Sequence, residues 1–248
     1  MLEWPVPGLP PNQWKFVPFA DVGTAEEFVR VFLEIAGDLL GGTAIPEPRK
    51  QDAKNAIMNI SMNGLTPAFM HLRNIRTSVG VDLPVLNRKQ LYEDFVQDLW
   101  RSYKDLTQKA VKAMGSDIGF LYQTDANFEK GLSTFMGTDP RIAWHVLADS
   151  LRAQRRDWQN GLAEFRNNLE HGGKLSLETH SQYYEPEMAE RLFAVVWQTI
   201  ADILTVFICL NMWPMFGLRL ATAEDRAGGW PNRYRCVILS HSQATDVL

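Results

Sequence analysis

Five histidines are the residues best suited to move protons in this chain: His71, His145, His171, His180 and His241. Histidine exchanges protons near neutral pH and needs little tuning to serve as acid or base. His171 has the most suggestive neighbours. It closes the run Phe165-Arg166-Asn167-Asn168-Leu169-Glu170-His171, followed by Gly172-Gly173. A guanidinium presents a planar fork that matches two oxygens of an oxyanion. An Arg, an Asn and a His within six residues can therefore hold a charged oxygen group and shuttle a proton beside it. Other signatures are absent. The chain has no Gly-rich phosphate loop, no HExxH and no GxSxG.

Arg166, four residues, then His171 at the end of a long helix resembles the Arg-x4–6-His motif of HEPN domains. Arg235 and His241 also fit the spacing, but apolar Cys236-Val237-Ile238-Leu239 follows that arginine. The resemblance extends to the helical pattern over residues 24–213. It implies an all-α bundle and a metal-independent endoribonuclease, of the kind found among toxins and antiviral effectors. The 2′-hydroxyl of RNA would attack the adjacent phosphate, leaving a 2′,3′-cyclic phosphate and a 5′-hydroxyl. The implied catalytic residues are Arg166 for the developing charge, Asn167 for orientation and His171 for the proton. Arg152, Arg155, Arg156 and Asn160 lie upstream on the same helix and are candidates for RNA contacts. The other reading of these arginines is a solvated face paired with Asp149, Asp157 and Glu164. Some HEPN toxins carry a Tyr two residues after the His; here that position is Gly173.

The helix that must position this run is expected to open at Asp139-Pro140, with Asp as N-cap and Pro in the first turn. Its apolar stripe is Trp144, Leu147, Leu151, Trp158, Leu162, Phe165 and Leu169. On an unbroken α-helix His171 falls about 180° from Trp144, and Arg156, Asn160 and Asn167 fall within about 60° of His171. Arg166 falls about 140° from His171. The two side chains therefore converge only if the helix end bends or a second protomer completes the site. A homodimer is the expected state, because HEPN RNases resemble the second case.

Further stripes surround this helix. Phe28, Val31, Phe32, Ile35 and Leu39 follow a Thr24 cap and stop at Gly41-Gly42. Met58, Met62, Leu65, Phe69, Leu72, Ile75 and Val79 form a second, which Pro67 is expected to kink or split. Leu91, Phe95, Leu99, Tyr103, Leu106, Ala110 and Met114 form a third, closed by Gly115. A short helix is expected from Asp125. Glu185-Pro186-Glu187 opens the last long helix.

The organisation expected is a proline-rich arm over residues 1–23, a helical domain over 24–213 and an extension over 214–248. In that extension Arg233-Tyr234-Arg235-Cys236-Val237-Ile238-Leu239 has the pattern of a strand. Residues 192–213 are long and apolar enough to span a bilayer, but Asp202 sits at the centre, so a buried core helix is the expectation.

Composition bounds the partners. The chain has 248 residues and a net charge of -4, which excludes coating nucleic acid by bulk charge but leaves room for a local basic site. Two cysteines without metal spacing argue against a disulfide framework or a zinc site and for a reducing cytoplasm. The proline-rich start lacks the basic and apolar regions of a signal peptide. No cofactor is expected. An RNA substrate and an antitoxin or regulatory protein are the partners implied by the resemblance. The alternative is a non-catalytic helical scaffold that binds a protein or nucleic acid.

Overall fold

The computed structural model describes residues 2–4, 15–17, 24–79, 85–137, 144–170, 185–211, 216–220, 222–227 and 234–238. These build an all-α bundle. Helix α1 runs Thr24–Glu34 and continues through a π-helical turn, Ile35–Leu39. Helix α2 comprises Glu47–Ile60, a π-turn Ser61–Leu65 and Thr66–Thr77. Helix α3 repeats that plan with Val85–Arg101, a π-turn Ser102–Leu106 and Thr107–Ala113. A 3-10 turn, Gly119–Tyr122, leads to α4, Asp125–Met136. Helix α5 comprises Trp144–Gln154, a π-turn Arg155–Gln159 and Asn160–Glu170. Helix α6 is Pro186–Leu210, and α7 is the short Ala223–Ala227.

Among the described residues there are also two strand pairs. Strands β1 (Leu2–Trp4) and β2 (Lys15–Val17) pair antiparallel within the proline-rich stretch. Strands β3 (Phe216–Leu220) and β4 (Tyr234–Ile238) also pair antiparallel, in the stretch whose composition reads as strand.

Helix α6 is the core of the bundle. It packs against α1, α2, α3, β3 and β4. It is long and apolar enough to cross a membrane, yet 83% of its most apolar window is buried inside the fold. Asp202 is buried there with the rest. The rings of Phe28, Phe69 and Phe193 join α1, α2 and α6, with centroids 5.5–6.0 Å apart. Phe135 and Phe207 join α4 to α6 at 5.2 Å. Such pairs add to the burial of their area.

Helices α2 and α3 form an antiparallel pair along their whole length. The chain stays helical through Pro67. The π-turn directly before it supplies the accommodation, since a proline has no N–H to give and its ring crowds the carbonyl one turn back. The two π-turns share one sequence, Ser-x-x-x-Leu-Thr, at Ser61–Thr66 and Ser102–Thr107. In each, the threonine donates both its N–H and its hydroxyl to the serine carbonyl five residues back. The hydroxyl distances are 2.8 Å at Thr66 and 2.7 Å at Thr107. The turns lie side by side, with Gly64 against Ser102 and Leu106. Gly115 ends α3 with φ of 90°, the left-handed conformation that favours glycine after a helix.

Candidate active site

Helix α5 carries the candidate residues, and two turns of packing set its orientation. Leu162 and Phe165 are fully buried, in the stretch of α5 that packs against the first part of α3. Next to them Arg166 is half-buried and Asn167 exposed. Arg166 donates from Nη1 to Asn167 Oδ1 at 3.2 Å. The two are neighbours in the chain, so this contact is a local one near the end of the helix. His171, His180 and His241 lie outside the described residues, as do Asp139-Pro140, Lys174, Tyr183 and Tyr184.

The upstream arginines have separate surroundings. Arg152 reaches across to α4 and makes a bidentate contact with Glu129 at 2.8–3.2 Å, with Asp149 at 3.5 Å. That hydrogen bond from Arg152 holds the Glu129 carboxyl below its usual range. Arg155 is almost buried. It bonds Asp125 Oδ1 at 2.6 Å and the carbonyls of Leu121 and Gln123, and its guanidinium lies 4.8 Å from the centre of the Phe128 ring. Gln159 donates to the same Leu121 carbonyl. Arg156 is exposed beside Asp157 at 3.0 Å, and Asn160 is exposed. All three arginines sit in ion pairs, two with the acids that sequence proximity offers and one with Asp125.

The angular relations expected for an unbroken helix do not carry across Arg155–Gln159. A π-turn takes one more residue than an α-turn, which rotates everything beyond it by about 100°. Arg152 and Arg155 are accordingly turned onto α4, while Arg166 and Asn167 stand at a different angle. Relations within Asn160–Glu170 are unaffected, because that stretch is ordinary α-helix.

No protein-family model, curated protein or solved structure matches the chain.

Among the described residues no three His, Cys, Asp or Glu side chains gather into a metal-ligating group. The fold pairs one further histidine with a carboxylate distant in the chain. His71 Nε2 lies 3.4 Å from Asp98 Oδ2, joining α2 to α3, with both side chains about three-quarters buried. The pair faces the wrong way for base catalysis, since His71 Nδ1 is buried without a hydrogen-bond partner. Burial pushes the Asp98 carboxyl above its usual range, against the pull of His71 and Arg101, and Asp94 adds to the rise. A raised carboxyl means that the fold favours the protonated form. The stability this adds is complete below the ordinary carboxylate range and is lost as pH rises through the raised value. Urea midpoints measured from acid to neutral pH are therefore expected to fall for the parent relative to Asp98→Asn. A constant difference between the two across that window contradicts this assignment.

Proposed function

We propose that this chain is a HEPN-like endoribonuclease that cuts RNA without a metal ion, with its active site at the end of α5. The observation that carries the reading is the Arg166–Asn167 pair. A guanidinium and an amide are hydrogen-bonded to one another near the end of a long helix, five and four residues before His171 in the chain. Arg166 would stabilise charge on the phosphorus-centred transition state. Asn167 would fix the guanidinium, and His171 would exchange the proton with the 2′-hydroxyl or the leaving oxygen. The resemblance supplies the setting, a cytoplasmic toxin or antiviral effector acting as a homodimer and held in check by an antitoxin or regulatory protein.

The test is RNA cleavage by the purified chain in EDTA, with products carrying 2′,3′-cyclic phosphate. Arg166→Ala and His171→Ala are each expected to slow cutting by roughly 100-fold or more, with the helical circular dichroism unchanged. Cutting at the parent rate by both variants sinks the site.

The second reading, a non-catalytic helical scaffold, is favoured by the ion pairs of Arg152, Arg155 and Arg156. A row of arginines already matched by carboxylates offers little net attraction to a phosphate backbone. This reading expects no cleavage in EDTA or in divalent metal, and unchanged partner binding in Arg166→Ala.

A further inference from the structure

Attack by a 2′-hydroxyl moves two protons. One leaves the attacking oxygen and one joins the departing 5′-oxygen. The site at the end of α5 names a single residue able to carry either, His171. A guanidinium keeps its protons and an amide neither gives nor takes one, so Arg166 and Asn167 cannot supply the other half.

The acids of α5 differ in their partners. Asp149 stands against Arg152 at 3.5 Å and Asp157 against Arg156 at 3.0 Å. The Glu164 side chain is exposed and has no ion pair or hydrogen bond among the described residues. Arg166 is only two positions further on, but residues two apart on a helix do not face each other. Glu170 is the other acid of the segment, and its position lies about 90° off the face that Glu164 shares with Asn160 and Asn167.

That face is well defined. Asn160–Glu170 is ordinary α-helix, so positions 160, 164 and 167 fall within about 60° of one another. All three side chains are exposed, opposite the buried Leu162 and Phe165. The helix rises about 9 Å from Glu164 to Glu170, and His171 is the next residue. Asn167 lies between the two along the chain. In-line displacement sets the attacking and leaving oxygens on opposite sides of phosphorus. Base and acid must therefore flank the phosphate, and the order Glu164, Asn167, His171 provides that.

We infer, on the ribonuclease reading, that Glu164 is the general base of the cleavage and His171 its acid. The Glu164 carboxylate takes the 2′-hydroxyl proton as the O2′–P bond forms. The P–O5′ bond breaks, its electron pair leaves on O5′, and O5′ takes a proton from the His171 imidazolium. Proton exchange with water returns both groups to their starting forms. The Arg166 guanidinium offsets the repulsion between carboxylate and phosphate.

The test compares an RNA oligonucleotide with the same oligonucleotide carrying sulfur in place of the 5′-oxygen at the cleaved bond. The thiolate departs without a proton, so the acid is dispensable and the base is not. Glu164→Gln is expected to lower kcat at least about 100-fold on both substrates, with KM unchanged or lower. His171→Ala should lose as much on the oxygen substrate but less than about 10-fold on the sulfur one. Glu164→Asp, which keeps the carboxylate, should recover part of the loss. Asp149→Asn, which removes an α5 charge paired elsewhere, should leave kcat unchanged. A solvated surface acid would give a different result, since its removal weakens repulsion of RNA and leaves kcat at the parent value. That result, with Arg166→Ala and His171→Ala still inactive, overturns the role of Glu164 and leaves the ribonuclease reading standing. A Glu164→Gln loss that disappears on the sulfur substrate also overturns it, because that pattern belongs to an acid. A parent that does not cut RNA overturns both.

Discussion

Gly64→Ala is expected to destabilise this protein by about 2 kcal/mol, although the same change in an isolated helix would stabilise it. Alanine is favoured over glycine inside a helix by about 1 kcal/mol. At position 64 that gain meets an occupied space. An added Cβ would collide with the Ser102 hydroxyl and come to 2.8 Å from Leu106 Cδ1. Neither neighbour yields cheaply. Ser102 is fully buried and donates its hydroxyl to the Asp98 carbonyl at 2.7 Å, and Leu106 is 2% exposed. Overpacking costs roughly 1–3 kcal/mol and sometimes more, and contacts this short with two buried side chains belong at the top of that range, about 3 kcal/mol before the helix gain is subtracted. The net loss corresponds to a fall of about 4–8 °C in melting temperature for a chain of this size. Gly37→Ala is the control. No atom lies within 4 Å of the added Cβ there, so it should raise stability by up to about 1 kcal/mol. In a Ser102→Gly background the cost of Gly64→Ala should shrink, which a double-mutant cycle measures as coupling. A Gly64→Ala variant as stable as the parent refutes the close approach of α2 and α3 at their π-turns.

Arg155→Ala is expected to cost about 2–3 kcal/mol, while Arg156→Ala changes stability by no more than about 0.5 kcal/mol. The two residues are adjacent and of one type, so only their surroundings separate them. The Arg155 side chain is 11% exposed and that of Arg156 is 76% exposed. Arg155 bridges the carbonyls of Leu121 and Gln123, the Asp125 carboxylate and the Phe128 ring, and so fixes the 3-10 turn and the start of α4 to α5. Removing it leaves Gln159 alone on the Leu121 carbonyl and frees the start of α4 from α5. The Asp125 contact itself adds little, because that carboxylate is 80% exposed. Arg155→Lys should recover only part of the loss, as a single ammonium cannot span this set of acceptors. Urea titration reads all three variants. Equal midpoints for Arg155→Ala and Arg156→Ala would show that the clamp does not hold. A loss of the proposed RNA cutting in Arg155→Ala is therefore to be read beside its urea midpoint, since the change removes structure as well as a candidate phosphate contact.

These two cases mark where sequence reasoning stopped. The amphipathic stripes were legible because burial of one helix face is written as a spacing. Phe28, Phe32 and Ile35 of α1, Leu99, Tyr103 and Ala110 of α3, and Leu162 and Phe165 of α5 are all buried. Gly115 as the end of α3 and a strand within 234–238 were legible for the same local reason. The π-turns were not. The turns of α2 and α3 share Ser-x-x-x-Leu-Thr, which is short and becomes meaningful only when a threonine hydroxyl sits on the carbonyl five residues back, and the turns of α1 and α5 lack it. Missing the π-turn in α5 misplaced Arg152 by about 100° relative to Asn167. Of the candidate site, the Arg166–Asn167 contact was within reach of sequence because the two are neighbours in the chain.

The sequence by itself determined the helical class, the apolar faces and the chemical character of the α5 end. Each of these is local, set by residues within one or two turns of one another. The tertiary structure alone decided which polar groups meet. His71 finds Asp98 across 27 positions, Arg152 finds Glu129 across 23, and Arg155 finds the 3-10 turn across more than 30. It also decided that Gly64 is a contact and not a weakness. The physical reason is that burial is a property of a face, which spacing encodes. A hydrogen bond or a collision is a property of two atoms, and only the packing of α2 on α3 and of α4 on α5 brings them together.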